Sequence, residues 1–182
     1  MAATNDNELL AQLRNPAQQE QAFRVLVDRY KERLYWQIRR MVLSHDDADD
    51  ILQNTFIKAW TGLEGFRGES QLSTWLFRIA NNETLKFIER RRQTVSIDAE
   101  GAEAIAAQLQ ADPYFDGDET ERQLYTAVAT LPERQRQVFN MKYFDEMKYE
   151  DMSEVLQTSV GSLKASYHHA VKKIADFFHH ED

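Results

Sequence analysis

The stretch from Glu146 to Phe178, EMKYEDMSEVLQTSVGSLKASYHHAVKKIADFF, decides how the rest of the chain is read. Tyr149, Met152, Val155 and Leu156 share one side of a first helix at the 3.6-residue period. Gln157 and Thr158 break the pattern. Ser159 then stands where its hydroxyl can accept a free amide of the next helix's first turn. The second helix repeats its apolar groups at Val160, Leu163, Tyr167, Val171, Ile174 and Phe178. Its other face offers Ser162, Lys164, Ala165, His168, His169 and Lys172. A short helix, a tight turn and a polar, partly basic second helix fit a helix-turn-helix whose second helix enters a DNA major groove. Periodicity alone also permits a helical hairpin with a solvated face.

Outward from this stretch, the 182-residue chain has room for one domain or two small ones. Its 6 Gly and 3 Pro are few for an all-β fold, and apolar positions recur at helical spacing almost throughout, so the expected fold is all-α. No apolar run is long enough to cross a bilayer. The N-terminal residues are polar and acidic, unlike a secretory signal, and the expected location is the cytoplasm. The absence of Cys excludes disulfides and thiolate zinc sites.

The net charge of −8 is unevenly placed. Residues 1–95 hold 14 basic and 13 acidic groups, residues 96–121 hold 8 acidic and no basic groups, and residues 122–182 hold 8 basic and 9 acidic groups. Two nearly neutral blocks therefore flank one acidic segment. Such a chain grips free DNA weakly, because phosphate neutralisation supplies most non-specific affinity.

Leu9, Leu10 and Leu13 predict a short first helix, and Phe23 through Val42 a longer one with Arg24, Asp28, Arg29, Lys31, Arg33 and Arg39 on a charged side, for most of which a solvated face suffices. A third helix is expected over Asp46–Trp60. Its Asp46, Asp49 and Asp50 suit the positive end of the helix dipole, and Gln53 and Ile57 share their face. Gly62, Gly65 and Gly68 mark a loop that lacks the Gly-Lys-Ser/Thr ending of a phosphate cradle. The next helix, over Thr74–Arg92, carries Arg78, Asn81, Asn82, Lys86 and Glu89 on one side and ends in Arg90-Arg91-Arg92. That face, beside an aromatic-bearing loop, fits nucleic-acid contact. Residues 96–121 read as a linker extended by its own charge, with one short helix near Ala102–Leu109. Leu124, Val128 and Leu131 open the second domain, and Pro132 starts its next helix.

Asp47-Ala48-Asp49-Asp50-Ile51-Leu52-Gln53-Asn54-Thr55-Phe56, Phe66-Arg67-Gly68-Glu69-Ser70 and Thr74-Trp75-Leu76-Phe77-Arg78-Ile79-Ala80-Asn81-Asn82 resemble region 2 of extracytoplasmic-function (ECF) sigma factors of the sigma-70 family. Leu131-Pro132-Glu133-Arg134-Gln135-Arg136 and the C-terminal helix pair resemble region 4. The resemblance implies region 2 over residues 1–95, an acidic linker over 96–121 and region 4 over 122–182. It also implies a non-enzymatic factor that brings core RNA polymerase to promoters. Asp46, Asp49, Asp50, Gln53 and Ile57 would face the β′ clamp helices, and the β flap would meet region 4. Phe66, Arg67, Ser70, Arg78, Asn81, Asn82, Lys86 and Arg90 would take the melted −10 element, with Asn82 at the position that contacts a flipped base. Ser162, Lys164, Ala165, His168, His169 and Lys172 would read −35 duplex. No cofactor or metal is implied. An anti-sigma factor, often membrane-bound, is an expected partner.

Two positions depart from the family pattern. Gln157 stands where relatives often have Gly, and Ala165, His168 and His169 are less basic than usual. Duplex binding that weakens as pH rises through about 6.5 is expected from the two histidines. The residues by themselves leave open a DNA-binding regulator independent of polymerase and a protein-binding adaptor. An enzyme is disfavoured, for want of a Cys nucleophile, a Ser/His/acid motif or a complete phosphate loop.

Overall fold

A computed structural model describes residues 5–94, 107, 109–113, 115 and 117–180. In chain order the helices used below are α1 (Asp6–Leu13), α2 (Gln19–Val42), α3 (His45–Gly62), α4 (Leu72–Thr94), α5 (Glu119–Ala129), α6 (Glu133–Phe139), α7 (Tyr149–Leu156) and α8 (Val160–His180). A 3-10 turn, Leu63–Gly65, follows α3, and a π-helical turn, Asn140–Phe144, follows α6.

The helix starts obey capping chemistry. Asn5 accepts from the Asn7 amide while the Glu8 carboxylate accepts from the Asn5 amide, a reciprocal box. Ser44 caps α3 and Asp118 caps α5. Ser159 Oγ accepts from the Ser162 amide at 3.3 Å, as its position predicts. The helix-turn-helix break is tight because Gln157 sits at φ 51°, in the left-handed region usually given to glycine.

α1 to α4 form the first half. Leu9, Leu13, Leu26, Leu34, Ile38, Ala48, Ile51, Leu76 and Phe77 fill its centre, each 3 % exposed or less. α5 to α8 form the second half, where Ala127, Val128, Leu131, Phe139, Ala170 and Ile174 pack together. Val138, Met141, Met147, Met152, Val155 and Leu163 of that same half belong to the core of the first. The two halves thus share one continuous apolar interior, with α7 against α4 and the π-turn against α2.

Several expectations need correction. Arg39, assigned to a solvated side, is buried and pairs with Asp112. Leu109, expected in an extended acidic strap, is 2 % exposed and packs with Leu43, Phe115, Tyr125 and Ala129. The described end of the linker is therefore docked: one buried ion pair and a small apolar cluster outweigh the repulsion among its carboxylates. Most of the helix expected near Ala102–Leu109 lies outside the described residues. On α8, Leu163, Tyr167 and Ile174 face the core as the periodicity predicts, but between them Ala170 is fully buried and Val171 is 42 % exposed, so the stripe passes through Ala170 in place of Val171.

Candidate nucleic-acid interface

Three surfaces carry the residues singled out from the sequence. On α3, Asp46, Asp50, Gln53 and Ile57 follow at i, i+4, i+7 and i+11 and form one exposed ridge. Ile57 is 61 % exposed. Asp49 stands to the side, half-buried, 3.5 Å from His45 Nε2. Trp60 extends the ridge at 41 % exposure and is held edge-to-face on Phe23 with ring centres 4.9 Å apart. Sequence reasoning left Trp60 out, although its spacing of three residues from Ile57 places it on the same face.

The second surface is built by the loop after α3 and by α4. Phe66 is buried and stacks on Trp75 at 4.6 Å, which fixes the loop to the first turns of α4. Gly68 turns the chain at φ 78°, and a Cβ there would meet Arg14 Nη2 at 3.2 Å. Beyond these anchors lies a cavity of about 530 Å³ lined by Gly65, Phe66, Arg67, Ser70, Trp75 and Arg78. Arg67 is exposed and Ser70 is half-buried. The next turns of α4 expose Asn82, Lys86 and Arg90. Lys86 shares Glu83 with Lys58, at 3.3 and 2.6 Å. Burial raises the Glu83 carboxyl, but the two ammonium groups outweigh it and hold that group below its ordinary value.

Asn81 departs from the sequence reading. It is 6 % exposed, and its Oδ1 accepts from Gln137 Nε2 of α6 at 3.0 Å. A helix advances about 100° per residue, so neighbouring asparagines face different surroundings. Asn82 looks outward, whereas Asn81 looks into the second half. Glu154 of α7 lines the same cavity as Arg67 and Arg78. Arg92 at the end of α4 pairs with Glu133 of α6 at 2.9 Å. Asp145, after the π-turn, accepts from Arg40 Nη1 at 2.9 Å, and its backbone carbonyl accepts from Arg33 Nη2 at 3.3 Å. Burial pushes the Asp145 carboxyl up, against the pull of Arg40 and Arg33, and burial also pulls the Arg136 guanidinium down. None of Gln137, Asp145 and Glu154 was singled out from the sequence as a site residue. A lone Gln and scattered acids carry no signal until their partners on α2 and α4 are seen.

The third surface is α8. Ser162, Lys164, Ala165, His168, His169 and Lys172 are all exposed along it. Lys164 Nζ lies 5.7 Å from the centre of the Tyr149 ring, a cation–π contact to α7. The face is open along its length.

Residues 26–94 match sigma-70 region 2, and residues 121–174 match sigma-70, region 4. The chain is 32 % identical to the ECF RNA polymerase sigma factor SigW of Bacillus subtilis over 158 residues, which is 82 % of this chain and 84 % of the relative. It is 32 % identical over 155 residues to the ECF RNA polymerase sigma-E factor of Haemophilus influenzae, covering 80 % and 82 % of the two chains. In fold it matches the sigma factor RpoE in its solved complex with the anti-sigma factor NepR from Bartonella quintana, with a TM-score of 0.69 and 22 % identity over 86 % of this chain and 96 % of that one. It also matches CnrH, solved with the cytosolic domain of CnrY, with a TM-score of 0.72 and 22 % identity over 97 % and 99 % of the two chains.

Proposed function

This chain belongs to the ECF sigma factors of the sigma-70 family and is a non-enzymatic transcription initiation factor that directs RNA polymerase to promoters; from that membership we propose a division of labour among its three surfaces. Residues 1–95 hold core polymerase and take the melted −10 element. Residues 122–182 read −35 as duplex, and 96–121 connect the two.

The α3 ridge of Asp46, Asp50, Gln53 and Ile57 meets the β′ clamp helices, with Asp49 at its edge and Trp60 as a further apolar contact. An acidic ridge with two exposed apolar side chains suits a protein partner better than nucleic acid. Asn82 contacts a base drawn from the stack, and the cavity beside Trp75 receives that base. Arg67, Arg78, Lys86 and Arg90 steer the strand's phosphates. The exposed face of α8 enters the major groove at −35, and region 4 meets the β flap.

The observation that carries this reading is the arrangement itself. Family matches to region 2 and region 4 occur in order, and the residues at family DNA positions on α8 and at Asn82 are exposed. The net charge of −8 fits a factor whose non-specific grip on DNA is supplied by polymerase. An anti-sigma factor is a further proposed partner, supported by the structural neighbour RpoE, which was solved with the anti-sigma factor NepR.

The test is run-off transcription of a fragmented genomic library with core polymerase and this chain, followed by permanganate probing of the selected start sites. The reading requires discrete starts, unpaired thymines at −10 and little duplex binding without core. Strong promoter binding by the chain alone would overturn it.

A further inference from the structure

We propose that the cleft between α2 and the chain just after the π-turn is a binding site for a purine nucleoside phosphate, separate from the three surfaces assigned to polymerase and DNA. The cleft measures about 600 Å³, a usual size for a small-molecule site. One stripe of α2 forms a wall: Arg29, Arg33, Trp36 and Arg40 follow at i, i+4, i+7 and i+11. Phe144, Asp145 and Glu146 form the other. At 1.5 Å per residue the stripe runs about 16 Å along the helix, enough for the base and the phosphates of one nucleotide end to end.

The two ends of the cleft differ. At the outer end Arg29 and Arg33 stand one helical turn apart. Arg29 is held by Asp6 at 2.7 Å; Arg33 is exposed, lies 5.0 Å over the Phe77 ring and donates from Nη2 to the Asp145 carbonyl at 3.3 Å. Each guanidinium has five N–H donors, so one fixed by such a contact can still take a phosphate oxygen. At the inner end the Arg40 guanidinium lies 4.5 Å over the Phe144 ring and reaches Asp145 Oδ1 at 2.9 Å. The Asp145 side chain is only 3 % exposed, yet its Oδ2 has no partner among the described residues, nor has buried Arg40 Nε. A buried acceptor and a buried donor are thus both unmet, which costs stability until something meets them. The edge of a purine carries an exocyclic amine beside a ring-nitrogen acceptor and supplies both. Between the ends, Trp36 offers a flat face for the base and is braced edge-to-face by Tyr35 at 5.3 Å.

Charge narrows the ligand further. The lining sets three guanidiniums against three carboxylates, with Glu32 and Glu146 exposed at the rim. A balanced lining gives neither a polyanion nor a polycation a net field to follow. It suits a compact molecule that is anionic at one end and bears amine donors at the other. Glu146 also holds φ 51°, a left-handed conformation that a side chain disfavours and that gathers at ligand clamps.

The test is equilibrium dialysis of the full chain against ATP, GTP and inorganic pyrophosphate, at low salt and without divalent cations. At least one nucleotide should bind saturably and about tenfold or more tighter than pyrophosphate. Bound nucleotide should quench tryptophan emission, and Trp36→Leu should remove that quench. Arg33→Gln, at an exposed position that the fold does not need, should weaken binding roughly ten- to a hundredfold, the usual worth of a charge-assisted hydrogen bond. Glu32→Gln should tighten binding by roughly two- to tenfold, because it removes a rim carboxylate that repels phosphate. No saturable binding of either nucleotide at millimolar concentration overturns the proposal, as does binding that Arg33→Gln leaves unchanged or a quench that persists in Trp36→Leu. Pyrophosphate bound as tightly as nucleotide overturns the purine, and weaker binding in Glu32→Gln shows a site for cations instead.

Discussion

The two surfaces assigned to DNA are finished differently. The α8 face stands open in the free protein, with Lys164, His168, His169 and Lys172 all exposed. The α4 face is half-covered: Asn82 and Lys86 are exposed, but Asn81 is closed over by Gln137 and the neighbouring cavity is edged by Glu154. Duplex is present everywhere in a genome and can be read by a preformed convex helix. The contrast ties packing to function, since the helices that cover α4 are those that carry and support α8.

The largest effect should come from the shared core. Phe77 is 1 % exposed and lies beneath the Arg33 guanidinium at 5.0 Å, next to residues of the second half. Phe77→Ala should cost about 3–5 kcal/mol in urea unfolding and loosen both halves. Val171→Ala, on the exposed side of α8, should stay within about 0.5 kcal/mol. A mild Phe77→Ala would mean that the halves do not share a core in solution.

Base contacts come next, at about 1–3 kcal/mol each. Asn82→Ala should lower promoter-directed transcription roughly five- to a hundredfold at the melting step, leaving duplex binding by holoenzyme unchanged. Lys164→Ala should act earlier, on closed-complex formation, and flatten its dependence on salt. Asn81→Ala should behave unlike its neighbour. It leaves buried Gln137 without its partner, so it should lower stability and separate the halves. Equal phenotypes for Asn81→Ala and Asn82→Ala would erase the distinction between the covered and open parts of α4.

The helical periods, the cap at Ser159 and the helix-turn-helix were legible from local rules. So was the α3 ridge, because its residues answer to one helix. What escaped depends on partners distant in sequence. Arg39 looked solvated because Asp112, which neutralises it, lies 73 positions on. Asn81 and Asn82 are the same residue type on the same helix, and only the position of α6 separates them. Ala170 gave no apolar signal next to Val171, yet a small side chain is what allows α8 to approach the core closely. The packing of the two halves was invisible: Gln137, Asp145 and Glu154 are ordinary polar residues until α2 and α4 stand opposite them.

A smaller effect is expected at the turn that sets the angle of α8. Gln157 holds φ 51°, where a side chain costs about 1 kcal/mol or more relative to glycine, and its Nε2 recovers part of that by donating to Glu154 O at 2.7 Å. Gln157→Gly should raise thermal stability by up to about 1 kcal/mol and leave −35 selectivity unchanged. Loss of stability would show that the Gln157 bond outweighs the strain.

The smallest effect concerns the open part of α4, where Glu83 holds both Lys58 and Lys86. The glutamate lies below its ordinary carboxylate value because of those ammonium groups. Its contribution to stability is therefore complete above the unfolded value of 4.5 and is lost as pH falls through the lower folded value. With Lys58 about half exposed, solvent screening keeps that contribution to a few tenths of a kcal/mol. Glu83→Gln should thus melt slightly below wild type at neutral pH and converge with it in acid. The same change frees Lys86, which is already exposed, for phosphate, so binding of single-stranded DNA should steepen by about one unit in its logarithmic salt dependence. Two opposed readouts from one substitution separate the structural role of Glu83 from its effect on the DNA face: stability should fall while strand affinity rises. If both fall together, Lys86 does not reach the strand and the DNA face ends at Asn82.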